Sequence, residues 1–388
     1  MSSLTVQMAE SLAELPAGDW DRLVAGRSYY LSHEWLRAVE ADHSARAKYL
    51  LVIDGGGALL AGLPVYQVSE EGNDFYRPEA LVDGRWRGRY LLAGTRRAYA
   101  NDLLVRPDAD AGTRVRAVRA LLEELEQRVR LLATDGALFL YLSTAGACEL
   151  FAALGERTIP LLATVDTAID VPGARFDDYL ASFTPRQRRK LQHEIAEFER
   201  AGYELTEERL GGCWREAGSL LGNLQRRYGH VGNDDRWRSA LRRQVDTLGD
   251  RGVVFGCRRD GALVGFSLAY PWAGRLYERL AGFDYTALRG AFEYFNLVFY
   301  APLRYVYRNG LRGLHLGRES YDAKVHRGAR LAPLWAFEAA SGHSGPPTVS
   351  SARGWNRRVA DRWLERYGSR PHLFADPGWR IWGCGDGA

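Results

Sequence analysis

Lysine is almost missing from this 388-residue chain: among its 52 basic residues only Lys48, Lys190 and Lys324 are lysines. An arginine excess of that size reads as codon bias, and it makes each retained lysine informative. Arginine brings a bulky permanent charge, whereas lysine brings a compact ammonium whose pKa can move. Cysteine is scarce too. Cys148, Cys213, Cys257 and Cys384 lie far apart with no C-x-x-C pair, so neither a zinc site nor a disulfide framework is indicated and small buried or incidental thiols remain. No run of about 18 apolar residues suggests a membrane span, and the opening "MSSLTVQMAESLAELPAGDW" has neither the basic start nor the apolar stretch of a secretion signal. The expectation is a soluble, cytoplasmic, monomeric protein without a bound metal. A net charge of +4 is too small to imply nucleic-acid binding by itself, so the placement of the arginines has to carry that question.

What is present is a chain that says one thing twice. With 46% hydrophobic and 26% charged residues it is globular, and its length suits two domains. "KYLLVIDGGGALLAGLPVYQV" (Lys48 to Val68) and "VVFGCRRDGALVGFSLAYPW" (Val253 to Trp272) both read as β-hairpins. Each follows a helical stretch with an early tryptophan, Trp35 and Trp237. Later in each half, from Gly136 and from Gly310, comes a short apolar strand, a polar loop, a short helix and another strand. A repeat of nearly 200 residues implies tandem copies of one α/β (α+β) domain, each a mixed, mostly antiparallel sheet flanked by helices. The expected division is 1–180, 181–345 and a tail, 346–388, packing on the second domain. That tail follows a linker "SGHSGPPTVSS" and carries Trp355, Trp363, Trp379 and Trp382. Aligning the copies sets Leu150 opposite Lys324, so chemistry is expected in the second copy and the first is expected to be degenerate.

Two helices of the second half stand out. "SFTPRQRRKLQHEIAEFERAGYEL" starts with Thr184 as N-cap, Pro185 at the first position and Gln187 completing a capping box, and it stops at Gly202. Leu191, Ile195 and Phe198 form its apolar face. Arg186, Arg188, Arg189 and Lys190 crowd its first turns, where cations oppose the helix dipole unless a phosphate is shared with them. Clusters at Gln225 to His230 and Arg236 to Arg243 extend a candidate basic surface. "TALRGAFEYFNLVFYAPLRYVYRNG" reads as a long aromatic helix kinked at Pro302, with Tyr294, Asn296 and Tyr300 as candidate pocket-lining groups.

From residue 180 to about 340 the chain resembles the Fem-like branch of the GNAT superfamily, tandem acyltransferase folds that include peptidoglycan bridge-forming aminoacyltransferases and relatives in peptide antibiotic pathways. The resemblance rests on the basic helix and on Gly317, Tyr321, Lys324, Arg327 and Gly328 within "LGRESYDAKVHRG". It implies transfer of an amino acid from aminoacyl-tRNA to an amine acceptor in natural-product or cell-wall peptide biosynthesis, with Lys324 stabilising the oxyanion. Where the family places an aromatic residue before the lysine, this chain has Ala323; Tyr321 is the candidate substitute. An ordinary acetyl-CoA GNAT carries Q/R-x-x-G-x-G/A to cradle a pyrophosphate, and no such loop occurs here. No cofactor is therefore expected beyond aminoacyl-tRNA as co-substrate. The alternatives are an acyl-CoA-dependent N-acyltransferase and a non-catalytic RNA-binding relative.

An aminoacyl ester is already activated, so the protein must place an amine, stabilise the oxyanion and move a proton. Lys324 is the expected oxyanion group, Asp322 or Glu319 the expected base. Tyr321, His326, Arg327, Tyr294, Asn296 and Tyr300 are the expected substrate contacts, and Arg186, Arg188, Arg189 and Lys190 the expected tRNA contacts.

Overall fold

The computed structural model describes residues 4–385 apart from 43, 70, 99, 156–157, 231 and 342–346, so most of the expected linker's start lies outside the described residues. The chain forms two compact units, one of Met1–Asp166 with Arg330–Ala388, the other of Thr167–Ala329.

In the first unit, β1 (Thr5–Ala9) is followed by α1 (Ala17–Val24), α2 (His33–Glu40), and the expected hairpin β2 (Ala45–Ile53) and β3 (Leu59–Val68). β4 (Tyr90–Ala93), β5 (Leu104–Val105), α3 (Ala111–Leu131), β6 (Gly136–Leu142), α4 (Thr144–Leu154) and β7 (Leu161–Asp170) come next. The second unit takes the last residues of β7 and continues with α5 (Phe176–Ala181), α6 (Pro185–Arg200), β8 (Glu204–Arg209), α7 (Leu210–Arg227) and α8 (Asp234–Leu248). Then follow the second hairpin, β9 (Val253–Arg259) and β10 (Ala262–Trp272), β11 (Arg275–Phe283), α9 (Glu293–Phe295), α10 (Ala301–Arg308), β12 (Gly313–His315) and α11 (Tyr321–Val325). β13 (Arg330–Ser341) and α12 (Val349–Tyr367) return to the first unit.

Strand order shows the repeat plainly. The first unit runs β1-β2-β3-β4-β6-β13, antiparallel except for a parallel seam between β4 and β6. The second runs β8-β9-β10-β11-β12-β7, with its parallel seam between β11 and β12. The two last strands are exchanged: β13, which follows the second unit in sequence, completes the first, and Ala168–Asp170 of β7 completes the second. This corrects the expected boundary at 180, because each closing strand is an ordinary apolar segment whose partner is chosen far away in the chain. The tail is corrected likewise. It packs on the first unit, where Asn356 is fully buried and bonds the backbone of Leu162, Pro160 and Trp382, and Trp379 Nε1 donates to Leu331 O.

The caps of α6 form as read from the sequence. Thr184 Oγ1 accepts the Gln187 amide and Gln187 accepts the Thr184 amide, and Leu191, Ile195 and Phe198 are buried. The aromatic helix begins later than expected. Phe292 has a left-handed backbone, so helix starts only at Glu293. Asn296–Tyr300 is a π-helical turn that leads directly into α10. Pro302 explains it: proline donates no N–H and crowds the carbonyl one turn back, and widening the preceding turn relieves both problems. Ser267 Oγ donates to Leu297 O at 2.6 Å, satisfying a carbonyl within that turn.

Candidate active site

The parallel ladder of the second unit is short. It pairs Arg275 with Gly313, Leu276 with Leu314 and Tyr277 with His315, and then β12 ends while β11 runs on to Phe283. The first residue beyond the last pair is Glu278. It sits at a β-bulge, since Leu268 opposes Leu280 but Ala269 opposes Glu278, leaving Arg279 as the extra residue. Bulges re-aim side chains and recur beside active sites.

Glu278 is 6% exposed. Burial pushes its carboxyl well above the usual range, against the opposing pull of a hydrogen bond with Ser267 and of the Lys324 ammonium. Tyr294 belongs to the same neighbourhood. Its phenol is raised by burial and by the nearby Glu278, with a hydrogen bond from Ser320 acting the other way. Glu278 was not among the residues expected from sequence. Its only signal there was one acid inside a strand of mixed apolar and basic residues, "RLYERLAGF".

Lys324 reaches this neighbourhood from α11 and is buried, 4% exposed. Its Nζ donates to three consecutive carbonyls, Leu316 at 2.8 Å, Gly317 at 3.1 Å and Arg318 at 2.6 Å. An ammonium has three protons, and all are used. The expected oxyanion contact is therefore not what this geometry provides: Lys324 gathers the loop between β12 and α11 and leaves a positive charge next to Glu278. The loop needs such a clamp, because Gly317, Glu319 and Ser320 all have positive φ. Thr167 Oγ1 also donates to Gly317 O. Tyr321 lies alongside, its ring centroid 6.0 Å from Lys324 Nζ.

The other expected groups divide into two sets. Glu319, Asp322 and His326 are exposed, and the His326 ring is bonded back to Asp322 O at 2.6 Å. Arg327, Tyr300 and Asn296 form a buried brace away from solvent. Arg327 Nη2 meets Glu194 Oε2 at 2.5 Å, its Nε donates to Tyr300 OH at 3.1 Å, and its guanidinium carbon lies 3.3 Å from the Phe295 ring centroid. Tyr300 OH donates to the same Glu194 oxygen, Asn296 Nδ2 donates to Glu194 O at 3.1 Å, and Tyr179 OH donates to Arg327 O at 3.0 Å. Burial pushes the Tyr300 phenol up, which keeps it a donor. This brace ties α6, the π turn and α11 together, and Arg327, Tyr300 and Asn296 spend their polar groups within it.

On α6, Arg186, Arg189 and Lys190 are exposed. Arg188 is engaged differently, for its guanidinium donates to the Leu180, Ala181 and Phe183 carbonyls at 2.9 to 3.2 Å and caps the C-terminus of α5. A second cationic feature is an open groove of about 790 Å³ lined by residues of α7 and α8, among them Trp214, Arg215, Arg238, Arg242 and Arg243. Two guanidinium groups flank the Trp214 ring, Arg215 at 4.4 Å and Arg242 at 5.5 Å. The two acids of the groove are already paired, Glu216 with Arg258 and Asp235 with Arg238. Among the described residues no group of acids, histidines and cysteines could hold a metal ion, and no helix is long and apolar enough to cross a membrane.

No family model matches the chain, and no curated protein matches it in sequence. Solved structures do match in fold. FemX is 11% identical, with a TM-score of 0.59 over 87% of this chain and 98% of its own. The C-terminal domain of a protein described as a lysylphosphatidylglycerol synthetase, from Agrobacterium fabrum, is 14% identical with a TM-score of 0.51, covering 85% of this chain and 93% of its own. A tandem GNAT protein from the clavulanic acid biosynthesis pathway is 15% identical with a TM-score of 0.50, covering 89% and 100%. The chain thus has the tandem GNAT fold of these structures.

Proposed function

We propose that this chain is an aminoacyltransferase that moves an amino acid from aminoacyl-tRNA to an amine acceptor, forming an amide in natural-product or cell-wall peptide biosynthesis. The observation that carries the proposal is the end of the parallel ladder in the second unit, where Glu278 stands beside the Lys324-clamped loop and Tyr294. The acceptor nitrogen attacks the ester carbonyl, the carbonyl electrons move to oxygen, and on collapse the bond to the ribose oxygen breaks. Glu278 takes the proton the nitrogen loses and returns it to that oxygen, a role suited to a carboxyl whose pKa is lifted well above the usual range. Tyr294 OH is the proposed donor to the oxyanion. Lys324 acts on both through position and charge.

The RNA would be held by Arg186, Arg189 and Lys190 on α6 and by the arginine-tryptophan groove, where phosphates and unpaired bases both find partners. The likeness to the clavulanic acid pathway protein, whose structure was solved without AcCoA, keeps an acyl-CoA-dependent N-acyltransferase as the second reading. One experiment separates them. The protein is incubated with a candidate amine and either charged tRNA or acetyl-CoA, with ribonuclease in one arm. Product that ribonuclease abolishes supports the first reading; free CoA thiol in step with product replaces it with the second.

A further inference from the structure

Phenylalanine, tyrosine and tryptophan side chains are nearly all covered in this chain. Among the described residues only Phe75, Tyr228 and Tyr285 are exposed, at 37%, 67% and 37%. The two tyrosines share one patch, formed where the end of α7 lies over the end of β11. A Cβ on Gly282 would come within 2.6 Å of the Leu220–Leu221 peptide, so the glycine lets α7 rest directly on the strand. Asn223 Nδ2 then donates to Phe283 O at 3.2 Å, and Arg226 holds Asp234 at 2.6 Å and Asn223 Oδ1 at 2.7 Å. These bonds fix the last turn of α7, and with it Arg227 and Tyr228. The Arg227 guanidinium lies 4.4 Å from the centroid of the Tyr285 ring and, among the described residues, has no ion pair. The Tyr285 phenol, raised chiefly by burial and lowered by Arg227, is raised further by the neighbouring Tyr228.

The patch leads to the reacting groups. Phe283 packs against Tyr285 and against Tyr294, with ring centroids 6.2 and 6.1 Å apart. Tyr294, the proposed oxyanion donor, is near both Glu278 and Tyr228, which add to the effect of burial on its phenol. Exposed aromatic groups gathered beside a site mark a binding surface, and an aminoacyl ester fixes what has to stand there. Its alcohol oxygen belongs to the terminal ribose, which also carries the last base and the last phosphate, so an unpaired base and an anion arrive within one nucleotide of the reacting carbonyl. We propose that Tyr228, Tyr285 and Arg227 form the platform for that nucleotide: the base stacks on Tyr228, and Arg227, held against Tyr285, meets the phosphate. The inference rests on the reading of the chain as an aminoacyl-tRNA-dependent transferase, and it names the part of the RNA that these side chains take.

The test is tRNA binding by the full chain, followed by fluorescence anisotropy at one salt concentration, with two uncharged probes: intact tRNA and the same tRNA lacking its 3′-terminal adenosine. Wild-type protein is expected to bind the intact form about tenfold more tightly, the scale of one stacked base. Tyr228→Ala is expected to bring that ratio to about one while leaving affinity for the shortened form unchanged, and Tyr228→Phe to keep it, since the ring and not the hydroxyl stacks. Arg227→Met should lower the ratio about threefold through the lost phosphate contact. Equal affinity of the wild type for the two probes overturns the inference, as does a ratio that survives Tyr228→Ala. CoA that displaces intact tRNA at micromolar concentration overturns it too, by giving the platform to the adenosine of a thioester donor. A ratio that Tyr228→Ala abolishes supports the platform even where the ribonuclease experiment finds no transfer, so the two readings fail separately.

Discussion

The two parallel seams occupy the same place in the two strand orders and are finished in opposite ways. Between β4 and β6 the gap is stitched shut by Asn101, 2% exposed, whose Nδ2 donates to Ala93 O and Leu140 O and whose backbone bonds Tyr141 and Ser143. Gly94 is required there, since a Cβ would come within 2.0 Å of the Asn101 amide. Asp102 adds a second stitch, bonded to Arg27 at 3.1 Å and Ser143 at 3.1 Å. Beyond the last pair of β11 and β12 stand Glu278 on one side and, on the other, the buried Leu316, Gly317 and Arg318, whose carbonyls Lys324 gathers. The first seam is finished by an asparagine amide, the second by a buried acid and a lysine. The difference lies in which residues finish the gap, not in the fold.

Breaking the brace beside the second seam should have the largest effect. Arg327→Met leaves Glu194 buried without its cation, and the loss should be about 3–5 kcal/mol in urea unfolding. Next comes Lys324→Ala, which strands three carbonyls and should cost about 3 kcal/mol together with most of the activity. A melting temperature unchanged from wild type would rule out the clamp. Asn101→Ala should cost about 2 kcal/mol by leaving buried carbonyls unpaired, yet leave transfer kinetics at a permissive temperature unchanged, which would show that the first seam is structural only.

The subtlest change is Glu278→Gln. Because folding raises this carboxyl above its unfolded value, the folded state holds the proton more tightly, and stability is lost as pH rises from about 4.5 through the folded pKa. Wild type should therefore unfold at lower urea at pH 8 than at pH 5 by more than the variant does, and the variant should lose transfer activity about a hundredfold or more. Glu319→Gln and Asp322→Asn, on the exposed side of α11, should change turnover by less than about twofold.

Both hairpins and the capping of α6 were legible because their signals are local: a glycine-rich turn between apolar runs, a threonine three residues before a glutamine. Lys324 was legible as a singular residue but not in its role, since its partners are backbone carbonyls of its own loop and carry no sequence signature. Asp322 and His326 were drawn into the expected site by nearness in sequence. Four apart on a helical turn, they share the solvent side, while Lys324 and Arg327, three apart, share the inner one. Arg188 was misread for a similar reason, one arginine among four whose neighbour in space is the end of another helix. Glu278 stayed hidden because its importance depends on where β12 stops pairing, a fact set by the sheet.

The exchanged closing strands have a consequence for how the chain is made. All the strands of the second unit have been synthesised by residue 315, whereas the first unit lacks β13 until residue 341 and its α12 covering until residue 367. Domains that form during synthesis do so as their parts emerge, so the half that begins first is the half that closes last. Its apolar sheet has to wait, open at one edge, for a strand more than 180 residues downstream of β6. The two units are therefore unequal as fragments. A piece ending at residue 180 leaves the first unit without β13 and one ending at 345 leaves it without α12, while a piece spanning 167–329 keeps every strand of the second unit together.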